Sequence, residues 1–256
     1  MFDFSGKVVL ITGAAGGIGQ GLCDAFLGWN ATVLALDRDG DALARMDTRL
    51  KTVAVDLTDL TATKAAIDGL MALSGPVDIL VNNAGAAAAT SLATLKPEDW
   101  THDLAINLSA AYHCVEAVKA AMFARKAGVI INIGTVNAGL AIGHPAYSAA
   151  KAGLISYTKA LAVEYGPLGI RANLVAPGTV KTQAWADRAA KKPEVFDDLK
   201  KWYPLRDFAD PKDIANAVAF LSSDLARMIT GVVLPVDAGL TAGNPVLAAE
   251  LTLERF

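Results

Sequence analysis

Short apolar runs without polar alternation recur along the chain, each followed by a longer stretch with helical spacing of its apolar positions. Lys7–Thr12 (KVVLIT) is β-branched and stops at Gly13, which predicts a buried strand with a helix over 17–29 after it. Ala31–Leu36 and Lys51–Val55 repeat the unit, ended by Asp37 and Asp56, with helices over 39–49 and 59–73. Val77–Val81 predicts a fourth strand, ended by Asn82-Asn83-Ala84-Gly85. A long helical stretch over 97–126 follows it, broken near Asp103. Gly128–Ile133 and Ile170–Val175 predict strands five and six around a helix at Ser148–Tyr165, and Val232–Val236 a last strand after a helix at Asp213–Ser222. Residues 182–208 are polar, hold Pro193 and Pro204, and are the least regular part.

Strands apolar at every position are buried on both faces, so these runs predict a parallel sheet covered by helices. The repeated strand–helix unit predicts an α/β fold. It is a Rossmann-like doubly wound parallel sheet of about seven strands in three layers (α/β/α), forming one domain over 1–256. Ligands of such sheets bind beyond the carboxyl ends of the strands. The clusters Gly13–Gly19, Asp37, Asp56, Asn82–Gly85, Gly134–Thr135 and Pro177–Thr182 all follow strands, so they are expected to face one crevice.

Composition narrows the class. Hydrophobic residues make up 53% and charged residues 19%, which excludes disorder. With 256 residues the chain suits one large domain. The balance of 23 basic and 26 acidic residues has no basic stripe and excludes nucleic acid as a partner. No apolar run is long enough for a membrane span. Cys23 and Cys114 show no metal-ligand spacing, so no metal site and no disulfide framework are expected, in keeping with a reducing compartment. The start, MFDFSGK, lacks the charged region and cleavage site of an export signal, and a cytoplasmic location is expected.

Thr12-Gly13-Ala14-Ala15-Gly16-Gly17-Ile18-Gly19 lies at a strand-to-helix turn. Gly13 permits the tight turn, Gly17 lets the backbone approach a pyrophosphate, and Gly19 lets helix and strand pack closely. The helix N-terminus offers free N–H groups and a positive dipole end to phosphates. Asp37, 18 residues beyond Gly19, can accept hydrogen bonds from ribose hydroxyls and would repel a 2′-phosphate, which favours NAD over NADP. Arg38 beside it could pair with a phosphate, and both Asp37 and Asp56 could instead be turn or cap residues.

These features resemble the short-chain dehydrogenase/reductase family in its compact single-domain form, over about residues 5–242. TGAAGGIG (12–19) is similar to its cofactor motif and NNAG (82–85) to its second signature. Asn107 in AIN is similar to its catalytic asparagine, Tyr147-Ser-Ala-Ala-Lys151 to its Tyr-x-x-x-Lys, and Pro177-Gly-Thr-Val-Lys-Thr182 to the motif after its sixth strand. The resemblance implies a dinucleotide held by Gly13, Ala15, Gly16, Gly17, Ile18, Gly19, Asp37, Arg38, Asp56, Leu57, Asn83, Ala84, Gly85, Tyr147, Lys151, Pro177, Gly178, Val180 and Thr182. It also implies catalysis by Asn107, Thr135, Tyr147 and Lys151, with the asparagine supporting a proton relay to the lysine. A homotetramer is implied too, associating through helices around 105–126 and 148–165.

Tyr147 and Lys151 are four apart on a helix and share a face. An ammonium beside a phenol favours the phenolate, so Lys151, together with the positive nicotinamide of an oxidised cofactor, is expected to lower the Tyr147 pKa toward neutrality and make it an acid/base for an alcohol. Thr135 stands where the family usually has serine. It lies 12 residues before Tyr147, one short of the usual spacing, which implies a trimmed loop over 137–146. Its hydroxyl can still orient a substrate oxygen, leaving either an active enzyme or a weakened one.

Asn137 and His144 in that loop, with Thr135 and Tyr147, are candidate substrate contacts, as are Gln183 and Trp185 at the start of a substrate lid over 182–208. His102 and His113 read as structural. The tail over 244–256 either covers a neighbouring subunit's site or frays. The expected reaction interconverts a secondary alcohol and its ketone with NAD, on a small polar substrate such as a sugar or polyol. The alternatives are a 3-oxoacyl-type ketoreductase using NADPH and a catalytically weak dinucleotide-binding regulator.

Overall fold

A computed structural model describes residues 2–254, so Met1, Arg255 and Phe256 of the expected domain and tail lie outside the described residues. Seven strands form one sheet in the order β3-β2-β1-β4-β5-β6-β7. They are β1 (Val8–Thr12), β2 (Thr32–Asp37), β3 (Lys51–Ala54), β4 (Ile79–Asn82), β5 (Gly128–Ile133), β6 (Ile170–Pro177) and β7 (Val233–Val236). Every neighbouring pair is parallel. The order reverses beside β1, whose two neighbours are β2 and β4, and this switch point opens a crevice at the strands' carboxyl ends.

The two faces of the sheet follow from side-chain alternation along each strand. In β1, Val9 and Ile11 point to the layer of α1 (Gly17–Gly28) and α9 (Pro211–Ser222), where they pack with Leu22, Phe26 and Val218. Val8 and Leu10 point the other way. They meet Ile67 of α3 (Leu60–Ser74), Val118 of α5 (Ala110–Arg125) and Leu161 of α6 (Pro145–Tyr165). The three layers expected from the apolar runs are therefore present.

Two local expectations are corrected, and the break expected near Asp103 is present. The helix expected over 39–49 is only α2 (Gly40–Ala44). Asp39 caps its start by accepting from the Ala42 N–H. Asp47 then turns the chain, its carboxylate accepting from the Arg49 N–H and guanidinium, and only Leu43 of the short helix is buried. The stretch over 97–126 divides into α4 (Pro97–Leu104), a π-helical turn Ala105–Ser109, and α5. The irregular 182–208 region contains α7 (Gln183–Lys191) and α8 (Val195–Lys200), parted at Pro193. Rings stack from Trp185 through Phe196 and Phe208 to Tyr203 and fasten these helices to the body. The tail carries α10 (Pro245–Thr252), capped by the Asn244 side chain.

The amino-terminal segment closes the α1 side. Phe4 donates its N–H to the Trp29 carbonyl, and Phe26, fully buried, meets the Phe4 ring at 4.9 Å and the Trp29 ring at 5.5 Å. Phe26→Ala removes the fully buried ring of this cluster and is expected to cost about 3–5 kcal/mol in urea unfolding. A loss below about 1 kcal/mol would show that the cluster is not part of the cooperative core.

Candidate active site

The carboxyl ends of β1, β2, β4, β5 and β6 open into a cleft of ≈ 620 Å³. Its floor is the turn after β1. Gly13 sits at φ +61°, and a Cβ there would meet Ala84 Cα at 2.7 Å. A Cβ on Gly19 would lie 2.0 Å from the Gly13 carbonyl oxygen, so this glycine sets the close packing of α1 on β1. A Cβ on Gly17 would lie 2.7 Å from Thr182 Cβ, so Gly17 makes room for the segment after β6. The N-cap of α1 is Gly16, which supplies no capping side chain, and Gly16–Gly19 line the cleft. A helix start left uncapped and facing a cleft is a ready anion site. The residues present thus fit a dinucleotide pyrophosphate.

Two loops are locked onto this turn. The Thr12 hydroxyl accepts from the N–H groups of Asn83 and Ala84, both at 3.0 Å. The Asn83 amide donates to the carbonyls of Thr12 and Gly13, both at 3.0 Å. From β2, Asp37 accepts the Ala15 N–H at 3.0 Å and the Asp39 N–H at 3.0 Å, with its carboxylate on the cleft wall. Asp56 accepts from the Thr58 N–H and hydroxyl, which hold its carboxyl below the usual range.

The chemistry-bearing side chains gather where β5 ends. Thr135 follows Ile133 and Gly134, and Tyr147 and Lys151 come from one face of α6. The Lys151 ammonium is buried and donates to the Ile133 carbonyl at 2.8 Å. It lies 5.8 Å from the centre of the Tyr147 ring. Burial pulls its pKa from 10.5 down to about 8. Burial likewise pushes the Tyr147 phenol up, against an opposing pull from its hydrogen bond with Thr135. Lys151 by itself therefore does not bring the tyrosine down. Desolvation is the largest influence on the phenol, and the Lys151 ammonium spends its hydrogen bond on the Ile133 carbonyl.

Asn107 sits in the π-helical turn, buried, and does not line the cleft. It accepts from the Ala86 N–H at 3.2 Å and donates to the carbonyls of Ala86 at 2.6 Å and Asp103 at 2.9 Å. A Cβ on Gly85 would fall 2.6 Å from the Asn107 carbonyl oxygen and 3.4 Å from Lys151 Nζ, so the two groups face one point across that glycine.

Most of the expected site residues line this cleft, including Arg38, Leu57, Asn83–Gly85, His144, Pro177, Gly178, Val180, Thr182 and Trp185. Ala15 touches it only through the N–H given to Asp37. Asn137 does not reach it. Its N–H points back at Thr135 Oγ1 at 3.3 Å, and it lines a neighbouring cavity of ≈ 560 Å³ under Leu92 and Leu140. Gln183 is also outside, its amide held by Asp187 at 2.9 Å one turn along α7. His102 and Ile106, four apart across the end of α4, line the cleft with Asp56, although His102 reads as structural in the sequence. Their i, i+4 spacing was the available signal; what hid it was the π turn. His113 is structural as expected, its Nδ1 2.8 Å from the Leu57 carbonyl.

A family profile described as enoyl-(acyl carrier protein) reductase matches residues 13–241. The chain is 45% identical to an uncharacterised oxidoreductase of Schizosaccharomyces pombe, over 97% of this chain and 96% of that protein. It is 38% identical to the D-threitol dehydrogenase of Mycolicibacterium smegmatis, over 94% and 95%. A crystal structure of an oxidoreductase of the short-chain dehydrogenase/reductase family from Burkholderia thailandensis shares 55% identity and superposes with a TM-score of 0.92 over 98% of each chain.

The buried Lys151 has a measurable signature. Its lowered pKa means the unfolded chain binds more protons between about pH 8 and 10.5, so the ligand-free wild type gains stability as pH rises through that window. Lys151→Met lacks this gain, and its stability relative to wild type is expected to fall across the window by up to about 1.4 kcal/mol per pH unit. Parallel pH curves from urea titrations would refute the lowered pKa.

Proposed function

The chain belongs to the short-chain dehydrogenase/reductase family of oxidoreductases acting on CH–OH groups, and we propose that this member oxidises a secondary alcohol of a small polyol or sugar with NAD. The observation that carries the reading is the convergence of Tyr147, Thr135 and Lys151 at one end of a cleft whose other end is an uncapped helix start. Members of the family bind NAD or NADP, and such a dinucleotide, when bound, accepts the hydride of the alcohol carbon.

In this proposal the Gly13–Gly19 turn and the N-terminus of α1 hold the pyrophosphate, and Asp37 takes the adenosine ribose hydroxyls. A carboxylate at that rim disfavours a 2′-phosphate: two unit charges 4 Å apart near a protein surface repel by about 4 kcal/mol. Asp37 already accepts two backbone N–H groups, so it cannot swing away without releasing the glycine turn. Thr135 fixes the substrate oxygen and Tyr147 takes its proton. Lys151 holds the nicotinamide ribose and carries positive charge near the forming phenolate. Asn107 and Lys151, facing one point at Gly85, form the start of the proton's route outward. Trp185 and His144 bound the substrate end, whereas Asn137 and Gln183 have no contact role there.

The polyol assignment draws on the polar substrate end and on similarity to the D-threitol dehydrogenase. A scan of NAD reduction with polyols, sugars and hydroxy acids tests it, and turnover confined to β-oxoacyl thioesters with NADPH would overturn it. For association between copies, the outward side of α6 and α5, where Val163 and Tyr112 are exposed, is our assigned contact surface. Light scattering at the mass of a tetramer checks it.

Tyr147→Phe is expected to lower kcat by about 10³-fold or more while NAD still binds with near wild-type affinity, read by fluorescence quenching. Thr135→Val is expected to lose about 10²-fold in kcat, with Thr135→Ser restoring most of it. Near-normal turnover of Thr135→Val would remove the hydroxyl from the mechanism. For the cofactor, kcat/KM is expected to favour NAD over NADP by about a hundredfold, and Asp37→Ser to shrink that ratio. A wild type that prefers NADP refutes the role of Asp37.

A further inference from the structure

His144 stands immediately before α6, three residues ahead of Tyr147, and its ring lines the cleft. Its backbone is left-handed, at φ +54° and ψ +62°. This conformation is unfavourable for a non-glycine residue and is kept only where the surroundings over-determine it. Here two contacts do so. The His144 N–H donates to the Thr90 carbonyl at 3.0 Å, and Nδ1 lies 3.1 Å from the Ala89 carbonyl oxygen. That loop is itself pinned from behind. Ala86 is held by Asn107, and the Ala88 N–H is held by the buried Asp103 carboxylate at 3.1 Å.

The contact with Ala89 decides the chemistry of the ring. A carbonyl oxygen only accepts, so Nδ1 must carry the proton. In the neutral imidazole the other nitrogen, Nε2, is then an acceptor. No hydrogen bond engages Nε2 among the described residues, and it is not among the buried unpartnered atoms. The ring stands edge-on to Tyr147 with centroids 6.4 Å apart. The acid/base phenol and a fixed acceptor thus border the same substrate space.

We propose that His144 is a specificity residue whose Nε2 accepts a hydrogen bond from a second substrate hydroxyl, next to the carbon that loses hydride, so that the site selects vicinal diols. This rests on the polyol reading above and deepens it. A group in that position that can only accept, such as an ether oxygen, leaves Nε2 unpaired in a closing site. A hydroxyl, which can donate, satisfies it. Sites built to pair a substrate hydroxyl discriminate strongly against analogues lacking it. The left-handed backbone has its purpose here: it aims the ring at the substrate while the backbone N–H and Nδ1 stay tied to the alanine loop.

The test compares NAD reduction with 2,3-butanediol, its monomethyl ether 3-methoxy-2-butanol, and 2-butanol. For the wild type, kcat/KM for the diol is expected to exceed that for the ether by at least about tenfold. In His144→Leu that ratio is expected to fall to within about threefold of unity. Leucine is strained in a left-handed backbone, so His144→Asn accompanies it. Asparagine tolerates that conformation but is too short to place an acceptor where Nε2 lies. A melting temperature for His144→Asn close to wild type, together with the same collapse of the ratio, separates specificity from folding. If the wild type shows no preference for the diol over the ether, or either folded variant keeps the preference, the inference is overturned while the proposed function stands. If the wild type oxidises none of the three with NAD, the polyol reading falls and the inference with it.

Discussion

A polar seam through the apolar sheet fixes where Tyr147 and Lys151 sit. The Asn82 amide donates to the Asn132 side-chain carbonyl at 2.9 Å, Asn132 donates to the Thr158 hydroxyl at 2.8 Å, and Thr158 donates to the Leu154 carbonyl at 2.7 Å. Hydrophobic burial alone would let α6 rotate or slide on β5, since one aliphatic contact replaces another at small cost. A buried amide has no such tolerance, because a lost hydrogen bond leaves an unpaired polar group at about 1–3 kcal/mol. The seam therefore sets the phase of α6 against β4 and β5, and with it the directions of Tyr147 and Lys151. Its one loose end is the Asn82 carbonyl oxygen, buried and unpartnered.

The same rigidity makes an uncomfortable site possible. Lys151 is buried with one carbonyl for company, Tyr147 is desolvated, and His144 holds a left-handed backbone. Each is unfavourable for folding taken singly. In the proposed reaction they are the groups the site presents to its substrate away from water. The surrounding sheet, whose central strands β1, β4 and β6 are buried on both faces, supplies the stability that tolerates them.

The π-helical turn at Ala105–Ser109 anchors one wall of the cleft. By inserting an extra residue into the helix it turns Asn107 inward to grip Ala86, one turn after Asp103 grips Ala88. A loop of four consecutive alanines, Ala86–Ala89, has no polar side chains to position itself. Its geometry is imposed from the helix, and the carbonyls it offers to His144 are fixed as a consequence.

Much of this was legible in the chain. Unalternated apolar runs predicted the seven parallel strands, and in the central β1, β4 and β6 burial on both faces leaves almost no room for polar positions, whereas the edge strand β3 lies largely open to solvent and β7 is only half-buried. Gly13, Gly19, Asp37, Asn83 and the Tyr147–Lys151 pair lay at strand ends or on one helix face, where spacing alone predicts a shared crevice. What local pattern could not reveal were outcomes of competition between distant segments. Asn137 and Gln183 turned from the cleft toward nearer partners, and the helix over 39–49 gave way to the Asp47 turn. His102, near the end of α4, turned to the cleft beside Asp56. The tyrosine pKa rose rather than fell, since desolvation depends on everything packed around the phenol. Sequence determined which groups could meet, because periodicity and turn chemistry are local. Tertiary structure decided which of them do, because hydrogen-bond partners and exclusion of water are set only when the whole chain has closed around them.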